Sequence, residues 1–173
     1  MSKKALLVID MLNDFVDPEG ALYVGDTVKN IIPEIQKKIA QYRSDKDQII
    51  YVCDNHDEDD REFELFPKHG VAGSRGAEIY KDFRPEPDDI IIHKKRFSSF
   101  YNTKLDEVIS ENDIDTLELM GVCTNICILY TCADAHDRDL KVIVDRRCVD
   151  TFDRSAHEFA LKEMDRVLGA KII

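Results

Sequence analysis

The sequence predicts an α/β fold, a three-layer α/β/α sandwich around a six-stranded, mainly parallel sheet. Six short apolar runs rich in β-branched residues recur along the chain, and stretches of helical period separate most of them. The runs also lack a polar face, so they belong in a parallel sheet covered by helices on both sides. The first run, residues 5–9, ends in Asp10, and the stripe Val28, Ile31, Ile32, Ile35, Ile39 then predicts an amphipathic helix. Residues 48–53 form the second run, which ends in Asp54-Asn55-His56. Residues 54–88 are rich in charge, Gly and Pro, with little periodicity, and are long for a connection in a compact domain; such a segment usually carries function. The third run, 89–93, leads into His93-Lys94-Lys95-Arg96, and Leu105, Val108 and Ile109 mark a helix after it. The fourth, 116–122, gives way to a helix-like segment that begins near Cys127. The fifth, 141–144, ends in Asp145; Phe159, Leu161, Met164, Val167 and Leu168 then form a helical stripe before the last run, 170–173.

A chain of 173 residues is expected to form one domain, 1–173. Its net charge of −11 opposes a nucleic-acid backbone or an anionic membrane surface, which leaves a small molecule or a protein as partner. No apolar run is long enough to span a membrane, and the start of the chain turns acidic too soon for a signal peptide, so a cytoplasmic location is expected. The five cysteines, at 53, 123, 127, 132 and 148, contain no Cys-x-x-Cys pair, so neither a disulfide framework nor a zinc ribbon is suggested.

Open parallel sheets bind ligands at the carboxyl ends of their strands, so a site is expected among the residues that follow each run. Singly, each has a bland reading. An Asp after a strand caps or turns, a basic run is a solvated face, and Cys127 is a small core side chain. Together they bring an acid (Asp10), a lysine and a cysteine to one rim. A thiol in the first helical turn gains from the local N–H groups and dipole, which favour its thiolate. A cysteine hydrolase needs such a nucleophile, a proton carrier and a positive charge beside them.

Four ordered segments carry a resemblance to the isochorismatase-like cysteine hydrolases, and among them to the nicotinamidases and pyrazinamidases. These are Val8-Ile9-Asp10-Met11-Leu12-Asn13-Asp14-Phe15; Asp54-Asn55-His56 with Leu65-Phe66-Pro67-Lys68-His69; Lys94-Lys95-Arg96-Phe97-Ser98-Ser99-Phe100; and Gly121-Val122-Cys123-Thr124-Asn125-Ile126-Cys127. The resemblance covers nearly the whole chain and implies a Rossmann-like fold with a catalytic triad of Asp10, Lys94 and Cys127. It also implies a cis peptide between Val122 and Cys123 at the oxyanion hole. In that scheme Asp10 moves the thiol proton, Lys94 favours the anions, and the backbone N–H groups of Cys123 and Cys127 hold the oxyanion.

The resemblance further implies a divalent metal, zinc first with manganese or iron as alternatives, held by Asp54, His56, His69 and Glu62. Glu64 competes with Glu62 for the last place. Phe15, Phe66 and Phe97 would wall a flat ring, although each is equally plausible as ordinary core. The implied reaction is hydrolysis of nicotinamide to nicotinate and ammonia through a thioester, a step of NAD salvage. Another amide or carbamoyl substrate, or a catalytically idle member that only binds, are the alternatives. Relatives often form homo-oligomers, but nothing in this chain demands one. The segment from His56 to His69 is shorter than in many nicotinamidases, Cys123 stands where alanine is common, and Asn125 where aspartate is common. His93 is expected to face a helix layer, and His136 and His157 to be surface or partly buried.

Overall fold

The computed structural model describes residues 3–173. Six strands form one sheet in the order β3-β2-β1-β4-β5-β6: β1 (Lys3–Ile9), β2 (Gln48–Asp54), β3 (Ile90–Lys94), β4 (Ile114–Val122), β5 (Lys141–Asp150) and β6 (Lys171–Ile172). Every neighbouring pair of strands is parallel. The helices are α1 (Asn13–Val16), α2 (Val28–Asp45), α3 (Leu105–Glu111), α4 (Leu129–His136) and α5 (Arg154–Arg166).

Alternation along the strands sends neighbouring side chains to opposite faces, and the core divides accordingly. Leu6, Val8, Ile49, Tyr51 and Met120 meet Val28, Ile31, Ile35 and Ile39 of α2 on one face. Ala5, Leu7, Ile9, Ile50, Leu117 and Leu119 meet α3, α4 and α5 on the other. The expected three layers are therefore present. No helix among the described residues is long and apolar enough to cross a membrane.

Three expectations need correction. The fifth strand continues well past residue 144: a register shift between Leu119 and Gly121 lets β5 keep pairing with β4 as far as Asp150. Asp145 is thus a buried mid-strand residue paired with Arg147 at 2.7 Å, and the true strand end is Asp150-Thr151-Phe152. On α5 the buried face is His157, Ala160, Leu161 and Met164, so Phe159 lies off it, and the helix stops before Val167; both are exposed. His93 is exposed as well, because β3 is an edge strand with no helix over that side chain, while His157 is buried.

The chain builds outward from β1 to β3 in one direction, then crosses to β4 on the other side of β1. That reversal opens a crevice at the carboxyl ends of the central strands. Gly121 permits it. A Cβ there would collide with the Ile9 carbonyl oxygen, and its φ of +114° is one that L residues rarely adopt.

Candidate active site

Three strand ends deliver the central charges. Asp10 follows β1 in a left-handed conformation (φ 54°) and is fully buried; its Oδ1 accepts the Asp54 N–H at 2.9 Å. Lys94, the last residue of β3, is buried too and sets its ammonium 2.8 Å from Asp10 Oδ2 and 2.5 Å from Asp54 Oδ1. The same Nζ lies 3.5 Å from Cys127 Sγ. Cys127 sits in a π-helical turn, Thr124–Ile128, that follows β4 and runs directly into α4. The peptide between Val122 and Cys123 is cis.

Electrostatics in this buried group depart from the helix-dipole expectation. Burial pushes the Cys127 thiol well above its ordinary value, and the Lys94 charge only partly opposes that. Burial thus favours the protonated thiol, and reaction requires a base to take its proton. Burial and the Asp54 charge also push the Asp10 carboxyl up to about 6, against the pull of Lys94. Asp54 stays ionised: burial works against it, but Lys94 and His56 hold its carboxyl at about 2. Lys94 is strongly cationic despite its burial because Asp10 and Asp54 flank it.

Asp54 turns its other oxygen toward a second cluster. Oδ2 lies 3.6 Å from His56 Nε2 and 3.8 Å from His69 Nε2, while Glu62 Oε1 lies 4.0 and 3.7 Å from the same two nitrogens. Each ring is aimed by its other nitrogen: His56 Nδ1 contacts Asp60 at 3.2 Å and His69 Nδ1 contacts the Pro67 carbonyl at 2.7 Å. Arg96 in turn holds Asp60 at 3.0 Å. His56 Nε2 is buried with no hydrogen-bond partner, as a donor nitrogen awaiting a cation would be. Asp54, His56 and His69 can thus chelate a divalent ion, and two nitrogens with carboxylate oxygens suit zinc, manganese or iron better than calcium. Glu62 is turned inward with them, whereas Glu64 is exposed.

Residues of α1 hold the part of the 54–88 connection that carries His69. Asp14 accepts the N–H groups of Gly70 at 2.9 Å and Ala21 at 3.0 Å, and Asn13 donates to the Arg75 carbonyl at 2.8 Å. Against this cluster a cleft of about 320 Å³, its open mouth included, is lined by Phe15, Phe66, Phe97, Asp54, Glu62, His69, Cys123 and Cys127. Phe15 and Phe66 meet the His69 ring edge-on, with centroids 5.4 and 6.2 Å away, and Phe66 meets Phe97 at 6.3 Å. Leu22, Ile126 and Phe152 complete the lining and were not anticipated. Phe152 lies just past Asp150, where β5 ends, beyond the apolar run at 141–144 that marks this strand in the sequence.

A parallel sheet that switches direction above a buried thiol, carboxylate and ammonium, beside a set of metal donors, defines a hydrolase of isochorismatase-like type. The isochorismatase domain model matches residues 4–173, and the chain belongs to the isochorismatase family, close to its nicotinamidases and pyrazinamidases. Its fold superposes on the nicotinamidase/pyrazinamidase PncA of Bacillus subtilis with a TM-score of 0.92 and 32% identity over 98% of each chain. The pyrazinamidase of Pyrococcus horikoshii in complex with zinc gives 0.91 at 31% identity, covering 99% of this chain and 98% of that one. The N-carbamoylsarcosine amidase of Thermoplasma acidophilum gives 0.90 at 32% identity, covering 98% and 95%.

Proposed function

We propose that this protein, as one domain, is a metal-dependent cysteine amidohydrolase that converts nicotinamide to nicotinate and ammonia. One observation carries the reading: a single aromatic-walled cleft exposes both the Cys127 thiol and the Asp54–Glu62–His69 side of the donor cluster. A planar heteroaromatic amide can span the two, with its ring between Phe15, Phe66 and Phe97 and its carboxamide over the sulfur. A divalent ion held by Asp54, His56, His69 and Glu62 would supply a Lewis-acid contact for the ring nitrogen.

The chemistry follows from the side chains. Asp10 takes the proton of Cys127, and its elevated pKa of about 6 suits a group that must accept and return a proton near neutrality. The sulfur adds to the carboxamide carbon, and the N–H groups of Cys123 and Cys127 hold the resulting oxyanion. Asp10 then protonates the departing nitrogen, so ammonia leaves and a thioester remains on Cys127. Water, deprotonated by Asp10, adds to the thioester; nicotinate departs and the thiol is restored. Lys94 remains charged throughout and steadies each anion.

The likeness to N-carbamoylsarcosine amidase favours a second reading, an amidase acting on a carbamoyl amino acid. Such a substrate carries a carboxylate, and no Lys or Arg lines the cleft among the described residues. That asymmetry favours an uncharged ring. A panel of nicotinamide, pyrazinamide and carbamoyl amino acids, with ammonia release as readout and zinc, manganese or iron supplied, decides between them. Nicotinamide is expected among the fastest, and a carbamoyl acid clearly ahead of both ring amides would overturn the assignment.

A further inference from the structure

Behind the turn that bears Cys127 lies a polar contact that the chemistry above does not use. His157, on α5, is only 3% exposed, and its Nδ1 shares a hydrogen bond of 2.9 Å with Oγ1 of Thr124, which is fully buried. Thr124 opens the π-helical turn. From the adjoining end of β5, the Thr151 hydroxyl donates to Asn125 Oδ1 at 2.6 Å, so two successive residues of the turn are held by side chains from outside it. Within the turn, the N–H groups of Ile126 and Ile128 both reach the Cys123 carbonyl, at 3.0 and 3.2 Å. A wide turn of this kind is uncommon in isolation and depends on its surroundings.

Burial and the neighbouring Arg154 lower the imidazole's affinity for a proton, which keeps it in the neutral form that can share a hydrogen bond with a hydroxyl. The ring does not line the cleft and cannot touch substrate there. Its reach to the reacting atoms runs only through Thr124, whose neighbours are Cys123 on one side and, three residues on, Cys127.

We infer that His157 is a positioning residue: through Thr124 it sets the turn that aims the Cys127 sulfur and the backbone N–H groups of Cys123 and Cys127. The inference rests on the reading of Cys127 as the nucleophile. It differs from a merely structural role, because a core histidine that only fills space would affect stability without selectively affecting the reaction. Loss of the hydroxyl–imidazole bond should show in kcat, since substrate binding draws on the rings and the donor cluster, which lie outside the turn.

The test uses the full chain with metal supplied and compares His157→Asn, His157→Leu and Thr124→Val. Asparagine keeps a hydrogen-bonding group near the Nδ1 position, whereas leucine keeps bulk alone. The readouts are kcat and KM for nicotinamide, the rate at which iodoacetamide alkylates Cys127 followed by peptide mass spectrometry, and Tm. His157→Leu and Thr124→Val are each expected to lower kcat about tenfold with KM within about twofold, and His157→Asn to recover to within about threefold of the unaltered protein. The double variant should be little worse than the worse single one, as for partners in one bond. The Cys127 alkylation rate should change in Leu and Val and return toward the unaltered value in Asn. Should His157→Leu fail to fold, Thr124→Val reads the same contact from its other end. Unaltered kcat and alkylation in Thr124→Val, or equal losses in Asn and Leu that follow Tm, would overturn the inference. If the unaltered protein leaves nicotinamide intact, the substrate assignment fails, and the alkylation comparison still decides the role of His157.

Discussion

The triad and the metal-donor cluster share Asp54 but are built differently. Asp10, Lys94 and Cys127 issue from the ends of β1 and β3 and the turn after β4, so the sheet itself fixes their backbones. In the donor cluster only Asp54 belongs to a strand. His56 lies just beyond β2, while Glu62 and His69 come from the 54–88 connection and depend on clamps from elsewhere: Asp60 and Arg96 for His56, Asp14 and the Pro67 carbonyl for His69 and its neighbour. In the proposed reaction the sheet would anchor the chemistry and a loop the orientation of substrate. Changes at the triad should therefore stop the reaction without disturbing the loop, whereas changes at the clamps should weaken metal binding first.

The largest effect is expected at the nucleophile. Cys127→Ala should abolish ammonia release while leaving bound metal, measured by elemental analysis, unchanged; loss of metal in that variant would show that the two regions are not separable. His69→Ala, by contrast, is expected to reduce metal content and, through that loss, to lower kcat/KM about a hundredfold or more. Asp14→Ala removes the acceptor for the Gly70 N–H beside His69. A weakening of metal affinity of about tenfold is predicted, read by titration against a competing chelator, with the alkylation rate of Cys127 unaffected.

The smaller effects concern protons and packing. Asp10 must be unprotonated to accept the thiol proton, and its carboxyl is raised to about 6. The rate kcat/KM is therefore expected to be full at neutral pH and to decline as pH falls through about 6, with the protonated acid unable to act as base. An acid limb near the ordinary carboxylate value instead would mean that Asp10 is better solvated than its burial indicates. Cys123 lines the cleft, but only its backbone N–H has a place in the chemistry, so Cys123→Ala should retain activity within about tenfold.

Much of the fold could be read from the chain because strands buried on both faces have a plain signature: the runs at 5–9, 48–53 and 116–122 fall inside β1, β2 and β4. Only the first part of β5 is plain in the sequence, because Asp145, Arg146 and Arg147 interrupt its apolar run; local sequence does not disclose that Asp145 pairs with Arg147 and Lys38 in the folded chain. Phe159 is apolar, but it stands two residues from both His157 and Leu161, on the opposite side of α5 from the face that buries His157, Ala160, Leu161 and Met164. At the site, the strand-end positions of Asp10, Asp54 and Lys94 were legible from the rule that ligands bind beyond strand ends. The state of the Cys127 thiol was not, because a helix start suggests a thiolate and only the three-dimensional burial reveals that desolvation outweighs it. Nor could sequence choose between Glu62 and Glu64, which differ in the direction a single short turn gives each side chain.

The most direct test of the central claim is ammonia release from nicotinamide, measured for the metal-supplied protein and for Cys127→Ala side by side. The account predicts sustained release from the first and none above background from the second. Comparable release from both, or none from either after loading with zinc, manganese or iron, would contradict it.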